Sequence, residues 1–344
     1  MSADVAPTAH RAGAPTDRRW TVPALAGLTT AVGLASIWSL SAGAVTIPWS
    51  VIANTLFGLD GPRQDYIVLN SRLPRTVLAL VCGGALALSG AIIQALLRNA
   101  LASPKVIGIN AGAALAVCLA VIAGLSPGWL PAIAVAGGMT AAGLVWFGSL
   151  RRRASPARLA LIGISVGFLC DAGVDFLLVS SPPYLFSAPL VWMTGSLWAR
   201  GWEDVATAAP ILVPLTALAL ALSYRLDLIR LGDAHARGLG MDVRLERPLL
   251  LLLATVIASV SVAVVGALGF VGLMAPHLAR QMVGGDHRAL MPAAMLTGMA
   301  LVVLADAAGR ALAPPIEVSA GILTALFGAP FFVFILLTER RGRP

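Results

Sequence analysis

The chain has 344 residues, 58% of them hydrophobic and only 12% charged, with a mean hydropathy of +0.87. A soluble domain carries about twice that share of charge, so a water-soluble globule is excluded. The formal net charge of +8 invites a nucleic-acid partner, but the basic residues are spaced as membrane topology spaces them, and no nucleic-acid role is expected.

Residues 1–22 are polar, Pro-bearing and basic, and read as a cytoplasmic tail without a cleavable signal, because the apolar run that follows is long enough to span. A bilayer crossing takes ~20 apolar residues. Such runs occur at 23–43, 75–97, 106–125, 129–150, 159–179, 205–224 and 318–338. The stretch from Pro248 to Ala279 has no charge before Arg280 and is too long for one crossing. Gly266, Gly269, Gly272 and Pro276 break it, which predicts two helices over 248–265 and 268–283. A further span covers 289–306. The expectation is an all-α polytopic protein of about ten transmembrane helices: one permease domain over 23–338 with a cytoplasmic loop at 225–247, and a cytoplasmic tail at 339–344.

Ten crossings return the chain to its starting side, and the basic residues test this. With both termini inside, nineteen basic residues fall in inner segments, among them Arg98, Lys105, Arg151 to Arg153, Arg225 to Arg247 and Arg280. Only Arg63, Arg72, Arg75, Arg200 and Arg310 fall outside. That is the positive-inside bias of a bacterial inner-membrane protein.

No engine is written into the chain. There is no G-x-x-x-x-G-K-[ST] phosphate loop, and the single lysine, Lys105, falls in a short inner connection. His10, His235, His277 and His287 are scattered, and Cys82, Cys118 and Cys170 stand far apart in apolar runs, so no metal is expected and the cysteines read as small core residues. His277, after Pro276, reads as a kink whose imidazole satisfies a freed carbonyl. Asn99 and Asn110 read as backbone caps. An ionisable relay near the midplane would mark a proton-coupled secondary transporter; Asp171, Asp175, His277 and Asp306 are the candidates, and most lie toward helix ends.

Two regions carry functional pattern. In 225–247, Leu228, Leu231, His235 and Leu239 recur at helical spacing, with Gly232, Gly238 and Gly240 free to turn. A short amphipathic helix there would dock on another protein or lie in the headgroup plane. In the fifth helix, Asp171 and Asp175 share a face, about 20 Å from Arg158 at ~1.5 Å per residue. Two carboxylates at that depth are costly unless they face water, which predicts an outer vestibule.

The ordered motifs resemble one family. They include Ser71-Arg72-Leu73-Pro74-Arg75-Thr76, Arg98-Asn99-Ala100-Leu101-Ala102-Ser103-Pro104, Trp192-Met193-Thr194-Gly195-Ser196-Leu197 and Leu231-Gly232-Asp233 to Gly240. Gly269 to His277, Gly285-Asp286-His287-Arg288, Ala305-Asp306 to Arg310 and Gly321 to Phe332 complete the set. From about residue 70 to 338 the chain is similar to permeases of type II ABC importers for ferric siderophores, haem and cobalamin. Ala100 and Ser319 stand where that family usually has Pro, and Ser155-Pro156-Ala157 where it often has small hydroxyl residues at a gate.

The resemblance implies a second permease subunit, identical or homologous, two ABC ATPase subunits that hold ATP and Mg, and an extracytoplasmic solute-binding protein. No cofactor is expected in this chain itself. Leu231, Gly232, Asp233, Ala236 and Gly240 would contact the ATPase, with Ala236 at a close approach. Arg72, Arg75 and Arg310, which by topology alone would anchor helix ends at the headgroups, would dock the binding protein, with Asp306 steadying Arg310 from one turn away. Ser165, Asp171 and Asp175 would line the pathway. The cargo expected is a ferric siderophore, with cobalamin or haem as alternatives. A faint echo at a shift of 182 aligns Gly84, Gly90 and Leu96 with Gly266, Gly272 and Leu278.

Overall fold

A computed structural model describes residues 20–58, 66–150, 156–312, 314 and 316–341. Most of the N-terminal tail, Arg63, Arg151 to Arg153, Ser155 and the last three residues lie outside it. The described residues are helical throughout. In chain order they form α1 (Thr21–Ser41), α2 (Trp49–Leu56), a π turn (Tyr66–Arg72) running into α3 (Leu73–Leu97), α4 (Ile109–Ile122), α5 (Leu130–Leu150), α6 (Pro156–Ser180) and α7 (Ser187–Met193). Then follow α8 (Trp202–Ala221), α9 (Ser223–Arg230), α10 (Asp233–Gly238), α11 (Val243–Val265), α12 (Val271–Val283), α13 (His287–Ala311) and α14 (Ala320–Arg341).

Seven of these are long and apolar enough to cross a bilayer, and α4 and α14 are shorter apolar helices. The break expected in 248–279 is present: α11 ends at Val265, α12 begins at Val271, and Gly266 (φ 75°) and Phe270 (φ 63°) turn the chain between them.

The helices sort by how much of themselves they bury. α3 packs against α13, α11, α12 and α8, so it and α11 are covered on nearly every side, whereas α1, α6 and α8 leave most of their surface open. Helices without a hydrophobic drive toward one another in lipid associate through close packing, which small residues permit. At the α3–α12 crossing Gly90 and Gly272 meet backbone to backbone: a Cβ on Gly90 would fall on the Gly272 carbonyl. These are the two glycines paired by the 182-residue echo, so the echoing segments cross at matching positions. Cys82, Cys118 and Cys170 are buried and free, as expected of packing residues.

One connection departs from expectation. Residues 98–108 do not run along the inner surface. Their 3₁₀ turn (Pro104–Ile107) folds back into the bundle, with Val106 against Gly163 of α6 and Pro104 against Gly272 of α12. Gly272 touches Gly90, seven residues from the end of α3, so the turn reaches about 10 Å into the bundle at ~1.5 Å per residue. Gly108 (φ 78°) then starts α4. Non-helical backbone at membrane depth is tolerated only where protein buries it or a water-filled cavity borders it, and here protein packs on one side of it and a cavity lies on the other.

Candidate functional site: a cavity between broken helices

A cavity of about 590 Å³ lies where the interrupted elements converge. Its floor is the 99–108 turn and the start of α4, through Ser103, Lys105 and Asn110. Its side is α6, through Ile164, Phe168 and Asp171. The ends of α7 and α14 and the 266–270 break close it, through Thr194, Phe270 and Ile322. The break is held by main chain: the Gly321 N–H donates to the Gly195 carbonyl (2.8 Å), and the Trp192 indole donates to the Ala263 carbonyl (3.2 Å). The Thr194 and Ser319 hydroxyls pair at 2.9 Å.

The three residues expected on the pathway separate. Asp171 lines the cavity. Asp175, one turn on, is exposed but beyond the lining. Ser165 is also exposed, yet its hydroxyl donates to the Leu161 carbonyl (2.9 Å) on its own helix and it does not border the cavity. Cysteines placed at 171 and 175, in a background lacking Cys82, Cys118 and Cys170, are expected to react with a membrane-impermeant maleimide, and one at buried Val174 (3% exposed) to stay unlabelled. Equal labelling at all three would mean that this face of α6 is not ordered as described.

Lys105 lies on the cavity floor, an outcome hydropathy could not signal. Asn99 caps as expected, accepting from the Leu101 N–H (2.9 Å). Asn110 does not cap; its Oδ1 is shielded from solvent without a partner. The His277 ring pairs with Gln281 (3.1 Å) and stands edge-on to Phe331. Among the described residues no three metal-ligating side chains gather.

The 225–247 segment forms two short helices rather than one. Gly232, at φ 101°, turns the chain between α9 and α10. Asp233 is clamped from two sides, by Arg98 (3.0 Å) at the end of α3 and Arg247 (2.9 Å) in α11. Asp227 accepts from both the backbone N–H (3.0 Å) and the Nδ1 (2.6 Å) of His287 at the start of α13. Burial works against its charge, but the bonds from His287 outweigh it and hold the carboxyl below its usual range. Ala236, expected at a close approach to a partner, is instead fully buried within this chain; the exposed apolar residues of the segment include Leu231, Leu239 and Leu245. The turn rotates α10 so that its smallest side chain faces inward.

A larger difference concerns the arginines. Arg72, Arg75 and Arg310 were expected to project outward, yet they are only 6, 8 and 5% exposed. Arg72 donates to the carbonyls of Leu40 (2.6 Å), Ser41 (2.9 Å) and Val45. Arg75 bridges Asp306 (2.8 Å) and Glu317 (2.7 Å). Arg310 binds Asp306 (3.1 Å), the Ala42 carbonyl (2.8 Å) and the Ser39 hydroxyl (2.8 Å). The expected hold of Asp306 on Arg310 is present, and in this structure the guanidiniums join α1, α3 and α13.

The profile of the FecCD transport family matches residues 31–338. The chain belongs to that family. It is 42% identical over 330 residues to the Fe(3+)-citrate import system permease protein YfmE of Bacillus subtilis (strain 168), covering 95% of this chain and 98% of the relative. It is 40% identical over 315 residues to the Fe(3+) dicitrate transport system permease protein FecD of Escherichia coli (strain K12), covering 91% and 98%. Its fold matches an inward-facing conformation of a metal-chelate type ABC transporter with TM-score 0.82 at 32% identity, covering 91% of this chain and 98% of that one. The chain is therefore the inner-membrane permease subunit of an ABC importer, and ATP hydrolysis belongs to a separate subunit.

Proposed function

We propose that the chain supplies one half of the translocation path for a ferric chelate, joined to a second permease subunit, identical or homologous, across the open face of α6. Two ABC ATPase subunits, holding ATP and Mg, drive it from the side of the Arg98–Asp233 clamp, and an extracytoplasmic binding protein delivers cargo from the side of Asp306 and Glu317. The observation that carries this reading is the cavity. It is bordered by interrupted helices, where a soluble-like core has no reason to leave space, and by α6, whose Phe168, Leu169 and Phe176 are exposed. The relatives' iron-citrate and metal-chelate cargoes support a ferric chelate over cobalamin. The nineteen-to-five distribution of basic residues supports both termini and the 223–247 segment inside, with ten crossings.

The ATPase contact is assigned to the exposed side of α9 and α10, with Leu231 and Leu239 as the apolar anchors and Gly232, Asp233, Ala236 and Gly240 shaping the turn that presents them. Replacing Leu239 with Arg puts a charge where the partner's groove must be dry. The expected result is loss of ATPase co-purification and a drop of at least tenfold in uptake of ferric citrate by proteoliposomes containing the full importer, with the permease still inserted. Wild-type co-purification and uptake would remove α10 from the contact.

A further inference from the structure

Lys105 is the only lysine in the chain, and the fold sets it on the cavity floor, where its side chain is exposed. An ammonium at membrane depth is costly unless water or an anion meets it. Among the described residues no carboxylate pairs with it. The opposite charge it feels is Asp171, which borders the same cavity within electrostatic range but not in contact. Five residues on, the Asn110 Oδ1 is shielded from solvent and has no donor. The walls around them, Ile164, Phe168 and Phe270, are apolar.

We infer that Lys105 forms a transient subsite for a carboxylate-bearing, anionic ferric chelate passing through this cavity. The inference rests on the reading above that the cavity is the pathway. The ammonium makes a charge-assisted bond to a carboxylate oxygen. A volume of about 590 Å³ falls within the roughly 300–1,000 Å³ of small-molecule sites. A single cationic contact on a largely apolar wall attracts an anion without holding it, which conduction requires. Asp171 opposes the same anion, so the two residues have effects of opposite sign.

That sign difference is the test. Importers reconstituted in proteoliposomes with their ATPase and binding protein are given ferric citrate, and initial uptake is compared among variants that assemble to wild-type level. Lys105→Arg is expected to stay within about twofold of wild type, Lys105→Gln to fall about tenfold and Lys105→Glu further, while Asp171→Asn holds or raises the rate. A hydroxamate chelate of ferric iron that carries no net charge, supplied in parallel, should not discriminate Lys105→Gln from wild type if it is moved. Equal citrate uptake by all Lys105 variants, or an equal fall for Lys105→Arg and Lys105→Glu, overturns the subsite while leaving the pathway reading intact. A wild-type importer that moves neither chelate overturns the cargo class and the subsite together.

Discussion

Replacing Asp306 with Ala is expected to cost about 3–5 kcal/mol, because it leaves the buried Arg310 guanidinium without a carboxylate and Arg75 with only the part-exposed Glu317. Asp306 is 1% exposed and binds Arg75 and Arg310 together, so the loss is not a surface effect. At roughly 2–4 °C per kcal/mol, thermal unfolding in detergent should shift down by about 10 °C. Glu317→Gln makes the contrast. That carboxylate is a third exposed (33%), and its loss should cost about 1 kcal/mol or less. The Asp306→Ala protein melting with wild type would mean that the network adds nothing to stability and that its arginines have another use.

Gly266→Ala should be nearly as damaging for a different reason. The residue sits at φ 75°, where an L side chain is strained by about 1–3 kcal/mol, and its new Cβ would fall on the Trp192 carbonyl and within 3.1 Å of the Gly195 Cα. Those neighbours are backbone and cannot swing aside. Strain and overpacking together are expected to cost about 3 kcal/mol or more. The control is Gly33→Ala in α1, where a Cβ meets nothing within 4 Å and helix propensity favours Ala by up to about 1 kcal/mol. Folded yield and melting temperature of the two variants should move in opposite directions, and a tolerated Gly266→Ala would show that the 266–270 break is not packed as described.

Much of the fold was legible because lipid imposes a length and a composition on any helix that crosses it. The spans, the split after Val265 and the kinship all came from that and from ordered motifs. The site was legible only in part. Helical spacing put Asp171 and Asp175 one turn apart on α6, and the structure lines the cavity with the first of them. The inward fold of 99–108 was hidden because a polar, Pro-bearing connection reads the same whether it faces water outside or a cavity inside. The arginines were misjudged because topology locates a helix end but not the direction of a side chain. The partner of Arg75 is 231 residues away, and nothing local announces it. The resemblance put Ala236 at a close approach to a partner, and the turn at Gly232 (φ 101°), which it does not reveal, rotates the methyl inside this chain.

The cavity's borders have one more consequence. Thr194, Ala267, Gly269 and Phe270 come from the ends and gaps of helices, so part of the polarity they offer belongs to peptide groups rather than to side chains. No point substitution removes a peptide group. A wall of this kind stays wettable in every single variant, and drying it out would take a rearrangement of the chain rather than a change of residue.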